Sequence, residues 1–158
     1  MTLPRLLETP LTAETAPERV LLHPEDRVGL ALALLAAGEQ QLGQATLTDA
    51  LEAADLDSDL RRRGQIELWQ LLRRSGRMSD GVALLESMCA TATRSRATDC
   101  YPYIELAKYY EHVARDYPAA EQIVERAQRL LDLSGQNTQR AELIHRLQRI
   151  RRKGQAIP

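Results

Sequence analysis

Residues 66–76 read Ile66-Glu67-Leu68-Trp69-Gln70-Leu71-Leu72-Arg73-Arg74-Ser75-Gly76, an apolar stripe at helical spacing closed by a glycine. The same stripe stands 38 residues earlier and 38 later. Val28, Ile66 and Ile104 keep that interval, as do Leu30, Leu68 and Leu106, then Ala31, Trp69 and Ala107. Leu34, Leu72 and Tyr110 follow it, and so do Gly38, Gly76 and Ala114. A fixed period of this length marks a stack of repeated units. One unit is too small to bury its own apolar face, so neighbours must cover each other. An all-α stack follows, and stacks of this kind bind more often than they catalyse.

Working outward, the spacing predicts seven helices: three antiparallel pairs and one terminal helix. His23-Pro24-Glu25-Asp26 opens the first, since proline suits a first turn and acidic residues there suit the helix dipole. It runs to Ala37, and a partner spans about 44–54. Asp57-Ser58 caps the third helix, which runs to about Ser75. A fourth starts at Ser79 or Asp80 and ends near Thr93, before a loop over 94–99. The fifth begins near Pro102 and continues to Arg115. Pro118 starts the sixth, and Asn137 or Thr138 the last, which ends near Lys153. Residues 1–22, with Pro4, Pro10 and Pro17, read as an irregular lead. The repeat domain covers 23–153 and a tail covers 154–158.

Composition narrows the function classes. The chain has 158 residues, 44% of them apolar and 27% charged, ordinary values for a globular domain. Phe is absent, so Leu, Ala, Ile and Val must build the core. Net charge is −1, but residues 1–60 hold 3 Arg against 11 Asp and Glu, and residues 61–158 hold 18 Lys and Arg against 11. Such a split marks two surfaces of opposite sign. Cys89 and Cys100 lack metal spacing, and three scattered histidines complete no site. They read as free, buried thiols in a reducing compartment. The apolar run Val28–Ala37 is too short to cross a bilayer, which takes about 20 residues. Neither a signal peptide nor a membrane span is expected, and the location expected is the cytoplasm. Cofactors and metal are expected to be absent.

The second pair, Leu68-Trp69-x-x-Leu72-x-x-x-Gly76-x-Met78-x-x-Gly81-x-x-x-Leu85-x-x-Met88, resembles the tetratricopeptide motif position by position. The third is similar, with Leu106, Ala107, Tyr110, Tyr117, Ala120, Val124 and Ala127, but carries one extra residue between Tyr110 and Ala120. The first keeps Leu30, Ala31, Leu34 and Gly38, while its second helix, with Gly43, Leu47 and Ala50, matches weakly. This resemblance implies a right-handed superhelix with a C-terminal capping helix. It also implies a concave groove lined by the first helix of each pair. Arg63, Ile66, Gln70, Arg73 and Arg74 would line it from the second pair. Tyr101, Ile104, Lys108, Glu111 and His112 would line it from the third. An Arg-rich groove suits carboxylates or phosphates, so the expected partner is an acidic segment of another protein.

A narrower resemblance joins residues 104–112 and 141–153 to the helical C-terminal region of bacterial ribonuclease H-like exonucleases of the YprB type. There a metal-dependent nuclease domain precedes the repeats, and Asp26 would match its last acidic ligand. The spacing departs by one residue, and Pro24 replaces the family's Asn. One carboxylate does not hold a hard divalent ion. The chain therefore reads as a free-standing or excised repeat region without catalytic residues. The alternative function is an accessory nucleic-acid contact, with Arg140, Arg146, Arg149, Arg151, Arg152 and Lys153 meeting phosphates weakly and non-specifically. Finally, Val28–Ala37 is apolar on all sides and needs cover on more than one face. A homodimer built on residues 1–55 would supply it.

Overall fold

The computed structural model describes residues 23–95, 99–132 and 137–155, residues 137–139 by their backbone alone. The expected lead 1–22, loop residues 96–98 and tail residues 156–158 lie outside that range. Among the described residues there are seven α-helices: α1 (Pro24–Ala36), α2 (Gln40–Leu51), α3 (Ser58–Arg74), α4 (Met78–Ser95), α5 (Tyr101–Tyr109), α6 (Tyr117–Asp132) and α7 (Asn137–Gln155). A π-turn, Tyr110–Ala114, extends α5. Helices α1 and α2, α3 and α4, and α5 and α6 pair; α2 packs on α3, α4 on α5, and α7 closes the stack against α6.

Chain breaks follow local chemistry. The Asp57 carboxylate accepts hydrogen bonds from the Asp59 and Leu60 amides and so caps α3. At the ends of α1 and α3, Gly38 (φ +89°) and Gly76 (φ +74°) take the left-handed conformation. The Glu39 amide donates to Leu34 O and Gly38 to Leu35 O, while Arg77 donates to Leu72 O and Gly76 to Arg73 O. These are Schellman ends, which satisfy carbonyls that the helix leaves open. Helix α2 starts at Gln40 rather than near 44, directly after the Gly38 turn. Its first apolar residue, Leu42, faces solvent, so it adds nothing to the periodic stripe that marks a helix start.

The third joint differs. Arg115, not Ala114, is the left-handed residue there (φ 53°). Its amide donates to Tyr110 O, and so does that of Asp116. The second bond therefore spans six residues, where the two earlier joints span five. A π-turn accommodates one residue more than an α-turn. That is the extra residue between Tyr110 and Ala120, and it sits at the end of α5 rather than in the connection.

The core runs along the stack in two clusters. One cluster joins Val28, Ala31, Leu47, Ala50 and Leu56 to Leu68 and Leu72. The second runs from Trp69, Leu85, Met88 and Cys89 through Tyr103, Leu106 and Ala107 to α6 and the Leu143, Leu147 and Ile150 face of α7. The first pair, weak in motif, conforms in three dimensions: Gly43, Leu47 and Ala50 are buried, as Gly81, Leu85 and Met88 are. Cys89 and Cys100 are free and buried, and desolvation pushes the Cys89 thiol up to about 12. That keeps it a thiol and unreactive.

Trp69 belongs to the second cluster, and Leu84 packs against both. A Cβ built on Gly81 would lie 2.6 Å from the Trp69 ring, so this side chain of α3 seats directly on the bare backbone of α4. We expect Trp69→Ala to cost about 3–5 kcal/mol, read by chemical denaturation. A midpoint unchanged from the parent would show that the ring contributes little packing.

Candidate interaction site

Between α3 and α5 lies a hollow of about 180 Å³, lined by Trp69, Arg73, Met78, Glu105, Lys108, Tyr109, His112 and Val113. Its centre is Glu105, which is buried. A buried carboxylate is costly unless its oxygens are occupied. Trp69 Nε1 donates to Glu105 Oε2 at 3.3 Å, and Lys108 Nζ donates to Oε1 at 2.6 Å. Arg73 lies 3.7 Å from Oε2, its guanidinium 6.0 Å from the Trp69 ring centroid. One carboxylate thus fixes two cations at the rim of an apolar hollow. Both keep exposed donors.

Of the expected groove residues, Arg73, Lys108 and His112 come together here. Arg63, Ile66, Gln70, Arg74 and Tyr101 do not line the hollow. Arg63 is exposed on α3. Arg74 donates to Gln70 O of its own helix. Ile66, Tyr101 and Ile104 are partly buried and pack on the core. Glu105 and Trp69 complete the hollow, although neither counted among the expected groove residues. The signal for Glu105 was its three-residue spacing from Lys108, which puts opposite charges side by side on a helix.

Glu111 is a correction. It was expected to face the groove, but its side chain is fully buried beneath α7. Counting by 38 sets Glu111 against Arg73; the extra residue in the π-turn passes that place to His112 and turns Glu111 inward. Arg149 grips both of its oxygens, with Nε 2.9 Å from Oε1 and Nη2 2.8 Å from Oε2. Lys153 Nζ lies 2.8 Å from Oε1 and Arg146 Nη1 3.4 Å from Oε2, while His112 Nε2 is 3.5 Å from Oε2. Burial pushes the Glu111 carboxyl up, but the hydrogen bonds from Arg149 and Lys153, with the charges of Arg149 and His112, outweigh it and hold it down at about 2.

The six basic residues of α7 therefore divide. Arg146, Arg149 and Lys153 converge on Glu111. Arg151 pairs with Glu121 and Glu125 of α6, and Arg140 with Asp132. Arg152 reaches back to Gln148 O. Among the described residues no three His, Cys, Asp or Glu side chains gather as a metal site, and no helix is long and apolar enough to cross a membrane.

A solved structure shares this architecture: the nearly identical TPR-like repeats assigned to a kinesin light chain of Podosopora anserina. The TM-score is 0.54 at 21% identity, covering 84% of this chain and 68% of that one. At that identity the likeness establishes the fold. The chain is thus a tetratricopeptide-like superhelix of three helix pairs with a capping helix. No protein-family model matches it, and comparison with curated proteins finds none similar.

The Glu111 cluster makes stability depend on pH. A carboxyl held at about 2 when folded and at about 4.3 when unfolded stabilises the fold fully above the unfolded value. That contribution, on the order of 3 kcal/mol, fades as pH falls from about 5 toward 2. Glu111→Gln should flatten this acid limb in denaturation measured from pH 6 to 2. An identical acid limb in the variant would remove Glu111 as its source.

Proposed function

We propose that the chain is a non-catalytic, cytoplasmic protein-interaction scaffold that grips an acidic segment of a partner along the α3–α5 hollow. The observation that carries this reading is the pair Arg73 and Lys108. A single buried carboxylate pre-positions both at the edge of an apolar hollow, and preorganised donors lose less freedom on binding. The hollow supplies Tyr109, Met78 and Val113 as apolar contacts; Val113 is exposed. Arg73→Ala and Lys108→Ala, each leaving one cation on Glu105, should each weaken partner binding about tenfold, or ~1.4 kcal/mol. Arg140→Ala and Arg152→Ala on α7 should leave it unchanged. Equal affinities across all four variants would overturn the reading.

The second reading, an accessory nucleic-acid contact of a ribonuclease H-like exonuclease system, draws on the cations of α7 that remain exposed or partly exposed: Arg140, Arg149, Arg151, Arg152 and Lys153. It requires an affinity that falls steeply with salt as counterions are released. The ion pairs within the stack weigh against it, because a contact with phosphate must compete with Glu121, Glu125 and Asp132.

The proposed homodimer on residues 1–55 gains a sharper focus. Leu30 is 44% exposed, whereas its register mates Leu68 and Leu106 are 8% and 0% exposed. Leu32 and Leu35 pack inward on the first cluster, so Leu30 is the residue to change. If a second copy covers α1, sedimentation at micromolar concentration should show a dimer that Leu30→Arg dissociates. A parent sedimenting at the 17.8 kDa chain mass would exclude the dimer.

A further inference from the structure

We propose that the cluster around Glu111 is a phosphate site, and that the partner segment held in the α3–α5 hollow carries a phosphomonoester that docks there. This rests on the scaffold reading above and gives the acidic segment a chemistry.

Charge counting comes first. Arg146, Arg149 and Lys153 bring three positive charges to Glu111, which returns one negative charge. The difference, 3 − 1, leaves a surplus of two. The Glu105 cluster, with Arg73 and Lys108, leaves a surplus of 2 − 1, or one. A carboxylate ligand balances the second cluster but only half of the first. A phosphomonoester carries about −1.5 to −2 near neutral pH and matches the first.

Hydrogen-bond capacity points the same way. Oε1 of Glu111 already accepts from Arg149 and Lys153, and Oε2 from Arg149 and Arg146. Two acceptances per oxygen fill a carboxylate. The donors around it are not used up. Arg149 spends two of five N–H groups on Glu111 and Lys153 one of three. Their side chains remain 44% and 41% exposed, so the spare donors meet solvent. The Arg146 side chain is only 11% exposed, and its Nε is buried with no hydrogen-bond partner. A group with three acceptor oxygens is the natural complement to donors left over in this way.

His112 connects the two places. It lines the α3–α5 hollow and its Nε2 stands 3.5 Å from Glu111. A segment lying in the hollow therefore passes the α7 cations as it leaves over the π-turn.

The test titrates the whole chain with N-acetyl-phosphoserine methylamide, followed through the side-chain N–H resonances of Arg149 and His112. N-acetyl-aspartate methylamide and a 12-nucleotide single-stranded DNA are titrated in parallel. We expect saturable shifts for phosphoserine and at least tenfold weaker binding of the aspartate probe. Lys153→Met, which leaves Arg149 and Arg146 on Glu111, should weaken phosphoserine binding severalfold with the fold intact by circular dichroism. Should Lys153→Met unfold, Arg149→Lys, which keeps the charge but loses the fork, should show the same loss. No saturable shift, an equal response to aspartate, or an unchanged affinity in the folded variant would each overturn the proposal. DNA binding tighter than phosphoserine, with shifts spread to Arg140 and Arg152, would overturn it in favour of nucleic acid. If phosphatase treatment of a partner leaves its affinity unaltered while Arg73→Ala still weakens it, the phosphate site falls and the scaffold reading stands.

Discussion

Close approach of two helices is the constraint on which this stack depends. Within the first two pairs the second helix offers a bare backbone to a large side chain on the first. A Cβ on Gly43 would lie 2.7 Å from Leu35, and one on Gly81 2.6 Å from Trp69. In the third pair Ala120, fully buried, holds the corresponding place. Where a large side chain seats on bare backbone, the crossing of the pair is set by contact between packed atoms, and interiors packed at this density transmit that geometry to their neighbours. The outer face each pair then presents is a ridge that the next pair, or α7 after the third, covers. Leu68 and Leu106 are covered for this reason, and Leu30, first in the described series, is not.

The third pair has a complication that turns out to organise the site. One added residue cannot be absorbed by an α-helix without rotating everything after it by about 100°. The π-turn absorbs it locally. The rotation is confined to the stretch from Tyr110 to Arg115, and it directs Glu111 inward while His112 takes the groove position. A carboxylate sent into the interior must then find cations, and α7 provides three. Glu105 behaves similarly toward Arg73 and Lys108. Two buried acids on one helix and its extension thus decide where five basic side chains stand. This reverses the usual view of an Arg-rich groove, in which the cations come first.

Period and punctuation were legible in the sequence because they are local or strictly repeated. Leu72, Trp69 and Gly76 announce a helix, its buried face and its end with no knowledge of the rest. Helix α2 was harder to bound, since Leu42 spends its apolar side chain on solvent. The site was half legible. Arg73, Lys108 and His112 follow from counting along helices at a fixed interval. Glu111 does not, because fixed counting fails across an inserted residue, and a π-turn has no compositional signature of its own. The sequence did show the insertion, since Tyr110 and Ala120 are ten apart where Leu72 and Gly81 are nine apart. It did not show which side of the joint would absorb it. Nor could it show that Arg146, Arg149 and Lys153 turn inward. Their partner lies between 35 and 42 residues away in the chain, a distance that helical periodicity does not reach.

The spacing of the two glycine joints has an architectural consequence. From Gly38 to Gly76 the chain traverses one second helix and one first helix, and both ends close with the same hydrogen bonds. Residues 39–76 are therefore an interchangeable module: a duplicate inserted after Gly76 would enter and leave through joints of the kind it already has. Residues 77–115 are not interchangeable in this sense. Their closing joint is wider by one residue and delivers Glu111 to a place where α7 brings its cations. A duplicate of that block would strand a carboxylate between two helix pairs. The stack can lengthen from its first joint and is sealed at its last, a polarity set by a single inserted residue.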